Sequence, residues 1–157
     1  MEETEIVQQI LDYLPTVDFT RSQTKDPVSL FETTIRYLGG LLSAYDLLSD
    51  DAVAMSTSVQ TTKMLLRQAE RLADSLSYAF DTPTGIPHGN LYLNDRTTDG
   101  LTSNVLADIG TLVLEWTRLS DLTGNQTYAR LAQKAESYLL NPKPVLVTTL
   151  IQMFVIY

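Results

Sequence analysis

Apolar residues recur every three or four positions over most of this chain, and this spacing is the feature that most limits how the chain can fold. Five separate segments carry the pattern. Such a period places the apolar side chains on one face of a helix, whereas a half-buried strand alternates apolar and polar residues. No segment shows that alternation. The sequence therefore predicts an all-α fold without strands.

Prolines, glycines and capping residues set the boundaries of the predicted helices. We expect the first helix to end before Pro15, the second to begin at the N-cap and first-turn pair Asp26-Pro27, and the fourth to end at Gly124. The predicted helices span residues 3–14, 28–48, 58–79, 106–124 and 128–138. Residues 81–100 hold two prolines and three glycines without a helical period. They are predicted to form a long ordered or functional loop.

The charge balance limits the partners that the chain can bind. In 157 residues, eleven Lys and Arg oppose nineteen Asp and Glu, which gives a net charge of −8. A surface of this charge repels phosphate backbones and anionic lipids, so nucleic acid is not expected as a partner. The chain has no cysteine, which excludes disulfides and thiolate metal sites. Its length is that of one compact domain or of one piece of a larger one.

Neither end of the sequence has the pattern of an export signal or a membrane segment. The first five residues, Met-Glu-Glu-Thr-Glu, are acidic where a secretory signal is basic and then apolar. The protein is therefore expected to be cytosolic, or its true start lies outside these residues. Residues 145–157, VLVTTLIQMFVIY, carry no charge but are shorter than the ~20 residues that cross a bilayer. No membrane span is predicted.

The second predicted helix differs from the others in its charge. Between Ser29 and Leu48 its only charged residues are Glu32, Arg36 and Asp46. A helix so poor in charge is buried on most sides, so we expect it to form an inner wall of the fold. Beside its apolar stripe, polar or small residues spaced three or four apart are predicted to share one face: Ser29, Glu32, Arg36, Gly40 and Ser43.

Glu32 and Arg36 on this face admit two interpretations. An exposed i,i+4 ion pair on an ordinary helix would contribute only about 0.3–0.5 kcal/mol and would have no further role. The adjacent glycines Gly39 and Gly40 argue against this interpretation. In a helix interior, each glycine lowers the stability of the helix by roughly 1 kcal/mol relative to alanine. Close packing or a ligand that approaches the backbone usually offsets such a cost. A polar cavity beside the helix would account for both the glycines and the charged pair.

Three stretches of the chain resemble one family of proteins. They are SLFETTIRYLGGLLSAYDLL at 29–48, FDTPTGIPHGNLYLN at 80–94 and GTLVLEWTRLSDLTGNQTYARLAQKAESYLL at 110–140. They resemble glycoside hydrolase family 47, the class I α-1,2-mannosidases, and are most similar to its secreted fungal branch. Members of that family fold as a barrel of seven helical hairpins, remove α-1,2-linked mannose from oligosaccharides and bind calcium at the barrel floor. The resemblance implies that this chain forms consecutive antiparallel helical hairpins, an incomplete arc of an (α/α)7 barrel.

The resemblance also implies roles for individual residues. Glu32 is similar to the family's catalytic acid, which protonates the leaving oxygen through a water, and Arg36 is similar to its substrate-binding arginine. An inverting glycosidase needs a second carboxylate to activate the attacking water. That carboxylate and the threonine that holds calcium find no match here, so no metal ligand is assigned. The resemblance divides the chain into residues 1–142, a partial catalytic domain, and residues 143–157, an apolar tail that departs from the family.

Other residues receive more modest assignments. Asn125 opens the sequon Asn-Gln-Thr, which is a candidate glycosylation site in a secretory compartment, or it caps the fifth helix. His88, Asp108 and Glu115 are expected to be solvated or paired and are given no role. Trp116 fits the apolar stripe of the fourth helix and is predicted to lie in the core.

Three interpretations of function remain open. The resemblance implies a fragment of a calcium-dependent, inverting mannosyl-oligosaccharide 1,2-α-mannosidase, which acts on α-1,2-linked mannose oligosaccharides or N-glycans in the secretory pathway or outside the cell. Because the second carboxylate is missing, the isolated chain is expected to be inactive. The alternatives are a non-catalytic helical remnant and a carbohydrate-contacting or interaction module. A repeat scaffold would show a fixed period, and the chain has none.

Overall fold

The structure is a computed structural model that describes residues 2–49, 59–141 and 154–156. It is mainly helical, which confirms the predicted fold class. The helices are α1 (Glu2–Tyr13), α2 (Leu30–Thr33), α3 (Gly39–Ser49), α4 (Val59–Leu76), α5 (Leu106–Gly110), α6 (Val113–Thr123) and α7 (Thr127–Leu140). A π-helical turn (Thr34–Leu38) joins α2 to α3, and 3₁₀ turns follow α1 (Leu14–Thr16) and α4 (Ser77–Phe80).

The helices pack as consecutive pairs. Helix α3 lies against α4, and α6 lies against α7. Because only residues 124–126 separate α6 from α7, the two helices of that pair run antiparallel. Helix α6 also contacts α3 and α4, which joins the two pairs. The result is the predicted arc of helical hairpins.

Two of the predicted helix boundaries are wrong. The second helix begins at Leu30, and its N-cap is Ser29 rather than Asp26, because residues 28 and 29 pair as a strand. The predicted fourth helix is two helices, since α5 ends at Gly110 and α6 begins at Val113. Glycine is a weak helix former, which favours a break at that point.

Short strands are also present, contrary to the prediction of a fold without them. They are β1 (Val28–Ser29), β2 (Asn90–Tyr92), β3 (Thr97–Thr98), β4 (Ser103–Val105) and β5 (Phe154–Ile156). Strands β1, β2 and β3 form one antiparallel sheet, with Val28 opposite Leu91 and Leu91 opposite Thr98. Strand β4 pairs antiparallel with β5. Strands of two or three residues are too short to show the alternation that reveals a strand in a sequence.

The predicted loop and the apolar tail are described to different extents. The loop at 81–100 is ordered, as predicted, and it carries strands β2 and β3. Of the apolar tail, only the strand Phe154–Ile156 falls within the described residues. Residues 142–153 and 157 lie outside them.

Trp116 lies at the centre of the core, which confirms its predicted place. Its side chain is fully buried. It makes edge-to-face contacts with Phe80, at 4.8 Å between ring centroids, and with Tyr128, at 6.3 Å. Leucines from α3, α4 and the π turn surround this aromatic group. The core therefore sits between the two helix pairs, and α3 forms one of its walls.

The helices of the described ranges are all too short or too polar to cross a membrane. Most of the uncharged segment at 145–157 lies outside these ranges.

Candidate active site

The start of α2 is fixed to the rest of the fold by its cap and by a strand. The Ser29 hydroxyl accepts a hydrogen bond from the Glu32 backbone N–H at 3.2 Å. The next residue, Leu30, donates its backbone N–H to the carbonyl oxygen of Gly89 at 2.9 Å. Strand β1 pairs with β2 directly before this point. Glu32 therefore lies in the first turn of a helix whose start is held in place by the loop at 81–100.

Glu32 and Arg36 form an ion pair on the solvent side of this helix. The Arg36 Nε donates a hydrogen bond to the Glu32 carboxylate. Both side chains are exposed, Glu32 by 48% and Arg36 by 68%. An exposed pair of this kind adds little to stability, about 0.3–0.5 kcal/mol. Its main consequence is that each side chain orients the other on a surface open to solvent.

The π turn divides the face that the sequence analysis predicted to be continuous. Gly39 donates its backbone N–H to the carbonyl oxygen of Thr34, five residues earlier, so this turn holds one extra residue. The extra residue rotates everything after it by about 100° relative to an unbroken α-helix. Arg36 and Gly40 line one cavity of about 220 Å³, while Ser43 lines a different one of about 180 Å³. The prediction of one shared face is wrong, because Gly40 and Ser43 both follow the turn and are rotated relative to Glu32.

The two glycines differ in their surroundings. A Cβ built on Gly39 would lie 3.5 Å from Oε1 of Glu115, which is ordinary van der Waals contact. A Cβ on Gly40 would meet no heavy atom of the described residues within 4 Å. Packing within the described part of the chain therefore requires a glycine at neither position. The cavity at Gly40 is lined mainly by apolar residues, which include Leu14 and Phe19, so it is not the polar cavity that the sequence predicted beside this helix.

Asp108 and Glu115 lie seven positions apart and would share a face of an unbroken helix, but the break after Gly110 places them on two helices. Asp108 lines a polar pocket of about 230 Å³ together with Ser29 and Asn104. Glu115 lies instead beside Gly39, in the cavity between α3 and α6.

One oxygen of the Glu115 carboxyl is neither solvated nor hydrogen-bonded within the described residues, contrary to the prediction. Its Oε2 is buried and accepts no hydrogen bond from the described residues. Burial raises the pKa of this carboxyl above its ordinary value. The sequence contains one indication that this carboxyl is partly buried. Glu115 follows Leu-Val-Leu and precedes Trp116 in an otherwise apolar run.

An ion pair that was not predicted from the sequence lies at the same cavity. Arg118 donates two hydrogen bonds to the Asp46 carboxylate, from Nη2 at 2.6 Å and from Nε at 3.2 Å. The two residues are 72 positions apart, so no local pattern could reveal the pair. It links α3 to α6 at the edge of the site.

His88 and Asn125 take part in local contacts. The Nδ1 of His88 lies 3.2 Å from the carbonyl oxygen of Leu101, so the ring ties the loop to the residues before β4. Asn125 is exposed, and its Oδ1 accepts a hydrogen bond from the Thr127 backbone N–H at 3.1 Å. The N-cap position of α7 belongs to Gln126. Asn125 thus supports the helix start from one position further out, and its side chain remains accessible.

No group of three or more His, Asp or Glu side chains in the described ranges has the arrangement of a metal site. The donors that calcium prefers are several oxygens gathered at one point. The described part of the chain therefore presents no cluster of carboxylates for calcium.

Comparison with known proteins assigns the chain to a family. The model of glycosyl hydrolase family 47 matches residues 1–156. The mannosyl-oligosaccharide alpha-1,2-mannosidase 1B of Aspergillus oryzae is 59% identical over 139 residues, which are 88% of this chain and 27% of that protein. The mannosyl-oligosaccharide alpha-1,2-mannosidase of Coccidioides posadasii is 55% identical over 144 residues, 92% of this chain and 27% of that protein.

A solved structure gives the same result. The alpha-1,2-mannosidase from Trichoderma reesei superposes with a TM-score of 0.84 at 52% identity, over 90% of this chain and 30% of that one. This chain thus spans less than a third of the length of the relatives that it matches. The family match covers most of the apolar tail, and the proposed division at residue 142 stays a prediction. The chain belongs to glycosyl hydrolase family 47.

Proposed function

We propose that this chain is an early part of a catalytic domain whose complete form is a mannosyl-oligosaccharide α-1,2-mannosidase. The observation that carries the proposal is the exposed Glu32–Arg36 pair at the fixed start of α2, beside open space at Gly40. It occurs in a member of a glycosidase family whose relatives of 52–59% identity are named as α-1,2-mannosidases. The substrate class is α-1,2-linked mannose oligosaccharides, including those of N-glycans.

Glu32 acts as the general acid in this proposal. An inverting glycosidase protonates the leaving oxygen with one carboxyl group while a second carboxylate, about 6.5–9.5 Å away, activates a water on the opposite face of the sugar. Glu32 is solvated, so a water between its carboxyl and the substrate can carry the proton. The second carboxylate is supplied by a part of the complete enzyme outside this chain. Since both groups are needed, the isolated chain is inactive.

Arg36 binds substrate in the same cleft. Its guanidinium has five N–H donors, and the contact with Glu32 uses the Nε position. The remaining donors are directed away from that contact and are available to sugar hydroxyls. Gly40 lies one turn further on and leaves room for the sugar ring beside the backbone.

Calcium, when bound in the complete enzyme, supplies a positive centre that orients sugar hydroxyls. The described residues hold no cluster of three or more carboxylates or imidazoles for it. We assign its ligands to a part of the enzyme outside this chain, and no step at Glu32 or Arg36 depends on the metal directly.

We place the complete protein in the secretory pathway or outside the cell, with Asn125 glycosylated. The support is the exposed position of Asn125 in the sequon and the similarity to fungal mannosidases. Expression in a yeast secretory system should give a band that an endoglycosidase shifts, and the Asn125→Gln variant should lack that shift. An unmodified Asn125 in the secreted protein would contradict the assignment.

A non-catalytic role for the isolated chain is the alternative. One observation favours it: α1 exposes apolar side chains that include Ile6, at 55%, and Ile10, at 52%. Such a surface is typical of an interface with another protein segment.

A chimeric enzyme tests the proposed function. Residues 1–142 replace the matching segment of the Trichoderma reesei enzyme, and the chimera is assayed on α-1,2-linked mannobiose with the unmodified parent as control. We expect turnover that initially releases β-mannose, as NMR of the anomeric proton would detect, and that a calcium chelator abolishes. The isolated chain should give none. A folded chimera without turnover, or one that releases α-mannose, would contradict the proposal.

A further inference from the structure

Helix α6 contacts both ends of the π turn through two neighbouring residues. Trp116 donates its indole Nε1–H to the Thr34 hydroxyl at 3.5 Å, and both side chains are fully buried. Glu115 packs against Gly39, the residue whose backbone N–H closes the π turn. The turn is therefore held at its first residue and directly after its last one by a single helix.

The π turn needs this external support. A π-helical turn is rare and less favourable than continued α-helix, and an unfavourable backbone persists only where its surroundings determine it. Thr34 has a part in both interactions: its carbonyl accepts the hydrogen bond from Gly39, and its hydroxyl accepts the one from Trp116. Loss of the indole contact would leave the buried Thr34 hydroxyl without its donor. It would thereby remove an interaction that favours the π turn over continued α-helix.

The indole ring itself is held in a fixed orientation. Phe80 and Tyr128 both meet it edge to face. These contacts are made by the rings alone, since the Tyr128 hydroxyl is bonded to Asp74 of α4 at 2.9 Å. The Nε1–H of Trp116 thus projects from the centre of the core towards Thr34, and little freedom remains for it to turn elsewhere.

We propose that Trp116 is a positioning residue of the active site, which holds the π turn through Thr34 and thereby fixes Arg36 and Gly40 relative to Glu32. The catalytic consequence of this inference rests on the proposed function. Glu32 lies before the turn, Arg36 lies within it and Gly40 follows it. A change of the turn to α-helix would rotate Gly40 and the rest of α3 by about 100° relative to Glu32.

Amide hydrogen exchange in the purified chain tests whether Trp116 holds the π turn through Thr34. Three variants are compared with the wild type: Trp116→Phe, which keeps a ring but removes the donor; Thr34→Val, which keeps the shape but removes the acceptor; and Thr34→Ser, which keeps a hydroxyl. Tyr128→Phe is the matched control, since it removes a hydrogen bond from the same aromatic group without a contact to the turn. The measured quantity is the exchange rate of the Gly39 amide divided by that of amides in the middle of α7, so that global destabilisation cancels.

The expected result is a rise of about tenfold in this ratio for Trp116→Phe and for Thr34→Val, the effect of losing roughly one buried hydrogen bond. The double variant should show no more than either single one, because both remove the same contact. Thr34→Ser and Tyr128→Phe should keep the wild-type ratio. An unchanged ratio in both single variants, or additive effects in the double variant, would overturn the inference.

The same variants in the chimeric enzyme test whether the contact between Trp116 and Thr34 supports catalysis. Trp116→Phe and Thr34→Val should lower kcat by about three- to tenfold. Thr34→Ser, which keeps the hydroxyl, and Tyr128→Phe should both have the kcat of the unsubstituted chimera. If Glu32→Gln keeps full activity, the proposed function fails while the exchange result stands on its own. If Glu32→Gln is inactive but Thr34→Val changes neither kcat nor the exchange ratio, the function stands and the positioning role fails.

Discussion

Replacing Gly40 by alanine should stabilise the fold and weaken the enzyme at the same time. Gly40 lies in a helical run from Leu30 to Ser49, and it is not among the glycines with positive φ. Its new methyl group would meet no heavy atom of the described residues within 4 Å. No clash therefore opposes the gain in helix propensity, and the expected increase in the free energy of unfolding is about 0.5–1 kcal/mol.

Urea unfolding of the purified chain measures this change as a rise in the transition midpoint without a change in slope. For a chain of this length, a gain of 1 kcal/mol corresponds to about 2–4 °C in Tm. Gly124→Ala provides the matched control, because Gly124 ends α6 with a φ of 74°. There a side chain is strained, so that variant should lose about 1 kcal/mol or more.

In the chimeric enzyme, Gly40→Ala should lower kcat/KM, since the methyl group enters the space assigned to the sugar ring. Two results would refute the reasoning. A fall in stability would mean that another segment packs closely on Gly40. Unchanged kcat/KM, together with the expected gain in stability, would mean that no ligand approaches the backbone at this position.

Three further variants test the core, the surface ion pair and the buried carboxyl. Trp116→Ala should lower the free energy of unfolding by about 3–5 kcal/mol, because the ring is fully buried, and a loss below 1 kcal/mol in urea would contradict its central place. Arg118→Ala should cost less than about 1 kcal/mol and less still at high salt, since its pair with Asp46 is 43–46% exposed; a larger or salt-independent loss in urea would contradict this. Burial raises the pKa of Glu115, so the contribution of this group is full below its ordinary value of 4.5 and is lost as the pH rises through the folded value. Glu115→Gln should therefore be more stable than the wild type at pH 7 and approach it at pH 4, and a loss at pH 7 would show that the carboxylate has a partner.

The helices and the core followed from the sequence because they depend on local periodicity. Each apolar stripe predicted one face of a helix, and Trp116 proved to be buried where its stripe placed it. The candidate site residues Glu32 and Arg36 also lie one turn apart on an exposed surface, as their spacing of four residues predicted.

What the sequence did not reveal depends on contacts between distant residues. Asp26-Pro27 has the composition of a helix start, but pairing with β2 extends the chain and moves the cap to Ser29. The π turn has no local signature, since α6 supplies the contacts that hold it. The ion pair between Asp46 and Arg118 likewise exists only after α3 and α6 have packed.

The substitution Glu32→Gln in the chimeric enzyme tests the central claim most directly. The amide keeps the shape of the carboxyl but cannot donate the proton, and Glu136→Gln, on the exposed face of α7, is the matched control. Initial rates on α-1,2-linked mannobiose should show kcat reduced by roughly 10²–10⁴ for Glu32→Gln. The control should keep its rate, and the free energy of unfolding should change little in either variant. Equal rates for Glu32→Gln and the unsubstituted chimera would mean that Glu32 is only half of a surface ion pair.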